Sequence, residues 1–240
     1  MRTPLEDNPV EVAVAESWLL DGGRARGLER HWDRFARGCA EAGLDPGAPR
    51  EQVARALPAT GRWFPRVDLR ADGELRLAVR PAPPRDPEVV AWVFDGRDPR
   101  RAPRRKGPDL ERHGALRAAA ARRGAGEALL SDGDGCLLEG AFTSLLWWED
   151  ETLWAVPDDA PILDGVTRGL LLGLAAADGV PVRYRRPLAA ELDGREVWLT
   201  SALHGIRAVV PGPDGSLRAG AALRAEAWQA RLEALAVAVR

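Results

Sequence analysis

The most distinctive chemistry in this chain belongs to Lys106. Lysine and arginine together number 34, and Lys106 is the single lysine among them. Lysine is normally one of the commoner residues of a globular protein. A bias toward arginine would leave a stray lysine anywhere. The sharper reading is that position 106 needs a primary amine, which can deprotonate and form an imine, where a guanidinium stays protonated. Three other groups could serve the same chemistry. Glu139 stands 33 residues downstream at the end of an expected strand. Arg34 lies on an expected helix, where its planar fork could grip a phosphate at two points. Gly165-Val166-Thr167-Arg168 opens a further helix, and free amides with the helix dipole make such a start an anion site.

Each group has an ordinary explanation when taken alone. Glu139 before Gly140 suits a solvated turn, Arg34 a surface charge, Asp164-Gly165 a plain helix start, and His31 a structural hydrogen bond. Only their joint presence and order suggest one ligand, pyridoxal 5′-phosphate. Lys106 would hold its aldehyde carbon. Glu139 would keep its pyridine nitrogen protonated, so that the ring draws electrons. Arg34 and the 165–168 turn would take its phosphate.

The elements that must position these groups follow from periodicity. A strand is expected over Glu11–Leu20, with a turn at Asp21-Gly22-Gly23. A helix then runs over Gly27–Glu41, with Leu28, Trp32, Phe35 and Cys39 as one buried stripe. His31, Arg34 and Arg37 form the neighbouring stripe. Strands are expected at Phe64–Leu69 and Leu75–Val79, around the Ala71-Asp72-Gly73 turn. The Pro-rich stretch Arg80–Arg85 reads as a connection between domains. Beyond it come a strand at Val89–Phe94, a basic loop ending at Lys106, and a helix opened by Pro108 and Asp109 that Gly124 stops. Strands at Glu127–Ser131, Cys136–Glu139, Ser144–Trp148 and Leu153–Val156 follow, then a helix to about Ala177. Strands at Val182–Arg185, Glu196–Leu199 and Ile206–Val210 precede an Ala-rich helix that closes the chain. This is an α+β pattern, divided into a small domain over 1–83, a connection over 84–105, and a larger cofactor-binding domain over 106–240.

Composition narrows the partners. The chain has 240 residues and a net charge of −2, which gives no electrostatic case for nucleic acid. No apolar run approaches the ~20 residues that span a bilayer. The first residues, MRTPLEDNPVEVAV, place acids before a short apolar stretch, unlike a secretory signal. Cys39 and Cys136 are too few for a disulfide framework, so a cytoplasmic location is expected. His31, His113 and His204 are the three histidines, and no pair has metal-ligand spacing.

The ordered segments resemble the class IV aminotransferases, the fold-type IV pyridoxal-phosphate enzymes. That family includes branched-chain and D-amino-acid aminotransferases and aminodeoxychorismate lyase. His31-Trp32-Asp33-Arg34 is similar to the family's H-x-x-R helix, whose Arg binds phosphate. Lys106 falls where the Schiff-base Lys does. Glu139-Gly140-Ala141-Phe142-Thr143-Ser144 resembles E-G-x-x-S-N, with Ser144 in place of the usual Asn. Leu163-Asp164-Gly165-Val166-Thr167-Arg168 is close to L-x-G-[IV]-T-R, whose Val and Thr amides hold the phosphate. Thr200-Ser201-Ala202 resembles a later phosphate-side turn, which brings in Ser201 and Ala202.

The resemblance spans roughly residues 16–210. It implies a small N-terminal α/β domain, a larger domain with a β-barrel-like sheet, and a homodimer. The implied reaction is transamination between a small amino acid and a 2-oxo acid. The alternative is release of pyruvate from aminodeoxychorismate to give 4-aminobenzoate. A degenerate member acting only as a binding protein is the third reading. Branched-chain members carry a Tyr shortly after the Lys, but Tyr184 is the one tyrosine here. Asp109 lies where the lyases tend to carry Asn. Lyases use an N-terminal Thr, whose nearest match is Ser17, beside Glu16. Ser17, Arg66 and Thr143 are the candidates for the substrate side.

Overall fold

In the first part of the chain, apolar residues alternate along strands and recur every three to four residues along one long helix. β1 (Val12–Ser17), β2 (Leu20–Asp21), β3 (Arg24–Arg26), β4 (Arg62–Arg70) and β5 (Leu75–Pro81) are joined by a distant strand, β14 (Ala236–Ala238). Together they make a six-stranded sheet, ordered β1-β4-β2-β3-β14, with β5 on the free side of β4. The computed structural model describes residues 11–213, 215 and 217–239. Most of the segment read against a secretory signal, residues 1–10, lies outside them.

Helix α1 (Leu28–Glu41) lays Leu28, Trp32, Phe35 and Cys39 against this sheet, where they meet Val14, Leu20, Val67 and Leu69. The helix continues through Gly38, and His31 is buried along with the apolar stripe. A short helix, α2 (Pro49–Ala56), has Pro in its first turn and is anchored by Val53, as suits a residue whose N–H is not needed there.

The second part closes a barrel. Strands β6 (Glu88–Val93), β7 (Glu127–Ser131), β8 (Leu137–Gly140), β9 (Ser144–Glu149), β12 (Val197–Ser201) and β13 (Gly205–Val210) pair in the ring β9-β12-β13-β6-β7-β8. β8 returns to β9 at Glu139 and Ser144. β10 (Thr152–Ala155) and β11 (Val182–Tyr184) extend the sheet beyond β9. Alternation on β9 decides which side each residue serves. Leu145 and Trp147 join one cluster with Val89, Leu129 and Val209, while Leu146 and Trp148 join another with α4 (Val166–Ala177) and α5 (Ala225–Ala234). Helix α3 (Leu110–Ala121) covers β6 and β7 through Leu116 and Ala120. The chain does not close on its Ala-rich helix: after α5, β14 pairs antiparallel with β3 in the first sheet.

Candidate active site

Lys106 sits in a loop rather than on a regular element, so its aim depends on what pins that loop. Two contacts do so. Ala15 donates its amide to the Lys106 carbonyl at 2.7 Å, docking the loop on β1. Gly107 adopts φ 142°, and a Cβ there would stand 2.8 Å from Val14 Cα. Only glycine lets the loop lie this close to the strand. Asp109, 1% exposed, clasps the loop from behind. Its carboxylate accepts from the Arg101 amide at 3.0 Å and the Ala102 amide at 2.8 Å. It is therefore spent on backbone, not turned toward a ligand.

The Lys106 amine reaches Ser17 Oγ at 2.7 Å and Glu16 Oε1 at 3.3 Å. Burial lowers its pKa, with Glu16 opposing. Glu16 is fully buried and is the residue that sequence reasoning missed. It accepts from Arg34 Nε at 2.9 Å, from Arg34 Nη2 at 2.7 Å, and from His31 Nδ1 at 3.0 Å. Burial works against its charge, yet Arg34, Lys106 and His31 hold its pKa well below the usual carboxylate value. Burial lowers the pKa of His31, with Glu16 opposing, and facing a carboxylate its Nδ1 serves as the donor. The available signal was a carboxylate on an otherwise apolar strand, opposite a helix carrying His and Arg at i and i+3.

Arg34 also donates Nη1 to the Asp164 carbonyl at 2.7 Å, beside the start of α4. A guanidinium has five N–H donors, and these three bonds leave two for an anion. In the same cavity the first-turn amides of α4, at Val166 and Thr167, have no acceptor within the helix. Gly165 is needed there because a Cβ would run into Ser144 Oγ. Arg168 is 3% exposed and braces this turn, donating to the Val156 carbonyl at 2.6 Å and the Asp158 carboxylate at 2.8 Å. Ser201 Oγ accepts from the His204 amide at 3.2 Å, which shapes the turn carrying Ala202.

Glu139, at the end of β8, is buried. Its Oε1 accepts from Arg100 Nη1 and from the Leu163 amide, the latter at 2.9 Å. Among the described residues Oε2 has no hydrogen-bond partner. Burial pushes the carboxyl up to about 7, against the pull of Arg100. Arg66 faces Ser17 across the β1–β4 pairing and bonds Asp68 at 2.6 Å. Thr143 Oγ1 is buried near Glu127 and makes no well-formed hydrogen bond among the described residues. Tyr184 is 49% exposed on β11, outside the cavity.

A single cavity of about 420 Å³ is lined by Ser17, Arg34, Arg66, Lys106, Glu139, Thr143, Val166, Thr167, Ser201 and Ala202. The sequence-derived candidates thus converge on one space. Its donor set fits pyridoxal 5′-phosphate, with a part-buried amine, a carboxylate oxygen left open, two spare guanidinium N–H groups and uncapped helix amides. Among the described residues no group of His, Cys, Asp and Glu is placed to hold a metal ion. No helix is long and apolar enough to cross a membrane.

The sequence model of the Amino-transferase class IV family matches residues 13–210. No curated protein matches the chain. Solved structures do. A hypothetical aminotransferase from Mycobacterium tuberculosis, in its alpha-ketoglutarate and PMP bound form, is 25% identical, with TM-score 0.82 over 100% of this chain and 95% of that one. A branched-chain aminotransferase from Thermoproteus uzoniensis is 20% identical, with TM-score 0.79 over 95% of this chain and 90% of that one. A Legionella pneumophila protein assigned as a 4-amino-4-deoxychorismate lyase is 16% identical, with TM-score 0.80 over 97% of this chain and 96% of that one. The last two likenesses are of fold.

Proposed function

The chain belongs to the class IV aminotransferase family, pyridoxal-phosphate-dependent enzymes, and on that premise we propose that it moves an amino group between a small amino acid and a 2-oxo acid. The observation that carries this reading is the part-buried Lys106 amine, with its lowered pKa, in one cavity with Glu139 and Arg34. Bound there, the cofactor would supply an electron-withdrawing ring conjugated to the substrate nitrogen. The chain's residues do the rest. Arg34 and the amides of Val166 and Thr167 bind the phosphate, with the Ser201–Ala202 turn beside them. Glu139 Oε2 holds a proton at the ring nitrogen. Lys106, whose pKa burial lowers, would take the proton from the substrate Cα and hold it on Nζ for return to the product. Thr143 offers its hydroxyl to the substrate.

The substrate is anionic on this reading. Eight arginines and Lys106 line the cavity, against Glu127 and Glu139. Arg66, beside Ser17, is the candidate for the substrate carboxylate. The M. tuberculosis relative's alpha-ketoglutarate supports an oxo-acid acceptor. The protein acts as a homodimer, which light scattering tests, and resides in the cytoplasm, where Cys39 and Cys136 remain free thiols.

One observation favours lyase chemistry instead. Ser17 Oγ stands 2.7 Å from the Lys106 amine, where a hydroxyl can relay a proton to a leaving group. The experiment separating the two adds amino acids to the loaded enzyme and follows conversion to the pyridoxamine form. It then offers aminodeoxychorismate and measures pyruvate. Conversion without pyruvate supports transamination, and pyruvate abolished by Ser17→Ala supports the lyase. A Lys106→Ala variant that keeps both the visible band and turnover would sink both.

A further inference from the structure

Glu16 does more than satisfy a buried arginine. Its Oε1 alone is approached by Arg34 Nη2 at 2.7 Å, the Ser17 amide at 2.9 Å, His31 Nδ1 at 3.0 Å and Lys106 Nζ at 3.3 Å. One oxygen thus touches both the guanidinium assigned to phosphate and the amine assigned to catalysis. Two cations so close in a water-poor site repel strongly unless an anion lies between them. His31 cannot be that balance, because an imidazole carries no negative charge in either of its ordinary protonation states. Ser17 carries no charge. Arg66, on β4, adds a further positive charge near the amine, and the pKa of His113 on α3 is lowered by burial, with Arg100 and Lys106 adding to it. Glu139 lies elsewhere in the same cavity, engaged by Arg100. Among the described residues Glu16 is the one carboxylate in hydrogen-bond contact with Lys106.

We propose that Glu16 is a positioning residue whose single negative charge sets the protonation of Lys106 and the aim of Arg34 together. The part concerning Arg34 rests on the phosphate role given above; the part concerning Lys106 stands without it. Because Arg34 and Lys106 share one counter-charge, each feels the loss of the other. Removing Glu16 leaves burial, Arg34 and Arg66 unopposed, and the amine sheds its proton at lower pH. Removing Arg34 takes away the cation with which Lys106 shares Glu16, and the amine keeps its proton to higher pH.

Lys106 is the chain's only lysine, so side-chain amine labelling reports one residue. The full chain, free of cofactor, is treated with trace acetic anhydride across a pH series, and the Lys106 peptide is quantified by mass spectrometry. Relative to wild type, Glu16→Gln should lower the midpoint of reactivity by about one pH unit or more. Glu16→Asp should restore part of the loss, and Arg34→Gln should raise the midpoint. In parallel, each protein is loaded with pyridoxal 5′-phosphate and the pH dependence of its visible absorption recorded. That midpoint should also fall in Glu16→Gln. Unchanged labelling midpoints in Glu16→Gln and Arg34→Gln overturn the proposal. If Glu16→Gln does not fold, an unchanged midpoint in Arg34→Gln overturns it alone. Shifted labelling with no visible band in wild type upholds the role of Glu16 and removes the cofactor reading instead.

Discussion

Glu127 is a buried carboxyl that forms no ion pair among the described residues, and its cost is measurable as a pH dependence of stability. It opens β7, lines the cavity, and is 3% exposed. Its oxygens accept from backbone amides, Ala128 at 3.0 Å and Phe142 at 3.2 Å. Burial pushes its pKa from the ordinary 4.5 up to about 7. The folded state therefore holds a proton that the unfolded state has released between those two values. Stability falls as pH rises through that window and levels off above it. The gap, taken at ~1.36 kcal/mol per pH unit, amounts to about 3 kcal/mol. Glu127→Gln removes the titrating group while keeping the shape and one acceptor. Urea unfolding of the cofactor-free protein and the variant from pH 4.5 to 8.5 gives two curves. Their difference should move in the variant's favour by about 3 kcal/mol between pH 4.5 and 7 and stay constant beyond. Glu139, also raised to about 7, contributes to both curves and cancels in the difference. Parallel curves across the window would refute the reasoning, as they would mean Glu127 ionises in the fold as easily as in water.

Three other perturbations follow from the geometry. Asp109→Ala strips the acceptor from the Arg101 and Ala102 amides and should cost about 2–6 kcal/mol in urea unfolding, at about 1–3 kcal/mol per orphaned donor; a change under about 0.5 kcal/mol would show that the loop holds itself. Gly165→Ala forces Ser144 and the α4 start apart and should weaken pyridoxal-phosphate binding at least about tenfold with the melting temperature nearly kept, since small misplacements of a binding group carry such penalties; fluorescence titration measures it. Trp198, fully buried and in contact with Trp148 and Trp228 at ring distances of 5.6 and 5.8 Å, should cost about 3–5 kcal/mol when cut to Ala, read by thermal unfolding.

Most of the barrel was legible because its strands are apolar and bounded by turn residues. Glu127–Ser131 is placed residue for residue, and α4 begins where Gly165 marks it. The pieces that escaped are short. β2, β3 and β14 have two or three residues each, too few for any period to show, and α2 is only eight residues long. The chemistry followed a similar rule. Lys106, Glu139, Arg34 and the Gly165 turn stood out by type and order. Glu16 and Arg100 act through partners far along the chain: Arg100 meets Glu139 39 residues away and Lys106 meets Glu16 90 residues away. No local pattern encodes such meetings. Asp109 was noticed for a different reason, and only the folded loop reveals that it serves the backbone.

The return of β14 to β3 orders events during synthesis. A ribosome releases β1 to β5 well before the strand that completes their sheet. Until then β3 presents an unpaired backbone edge, a template for the wrong neighbour. The early segment must wait, partly open, while the barrel is produced and closed. Its closing bonds, including Val239 donating to the Gly23 carbonyl at 3.0 Å, tie β14 to a segment made long before it.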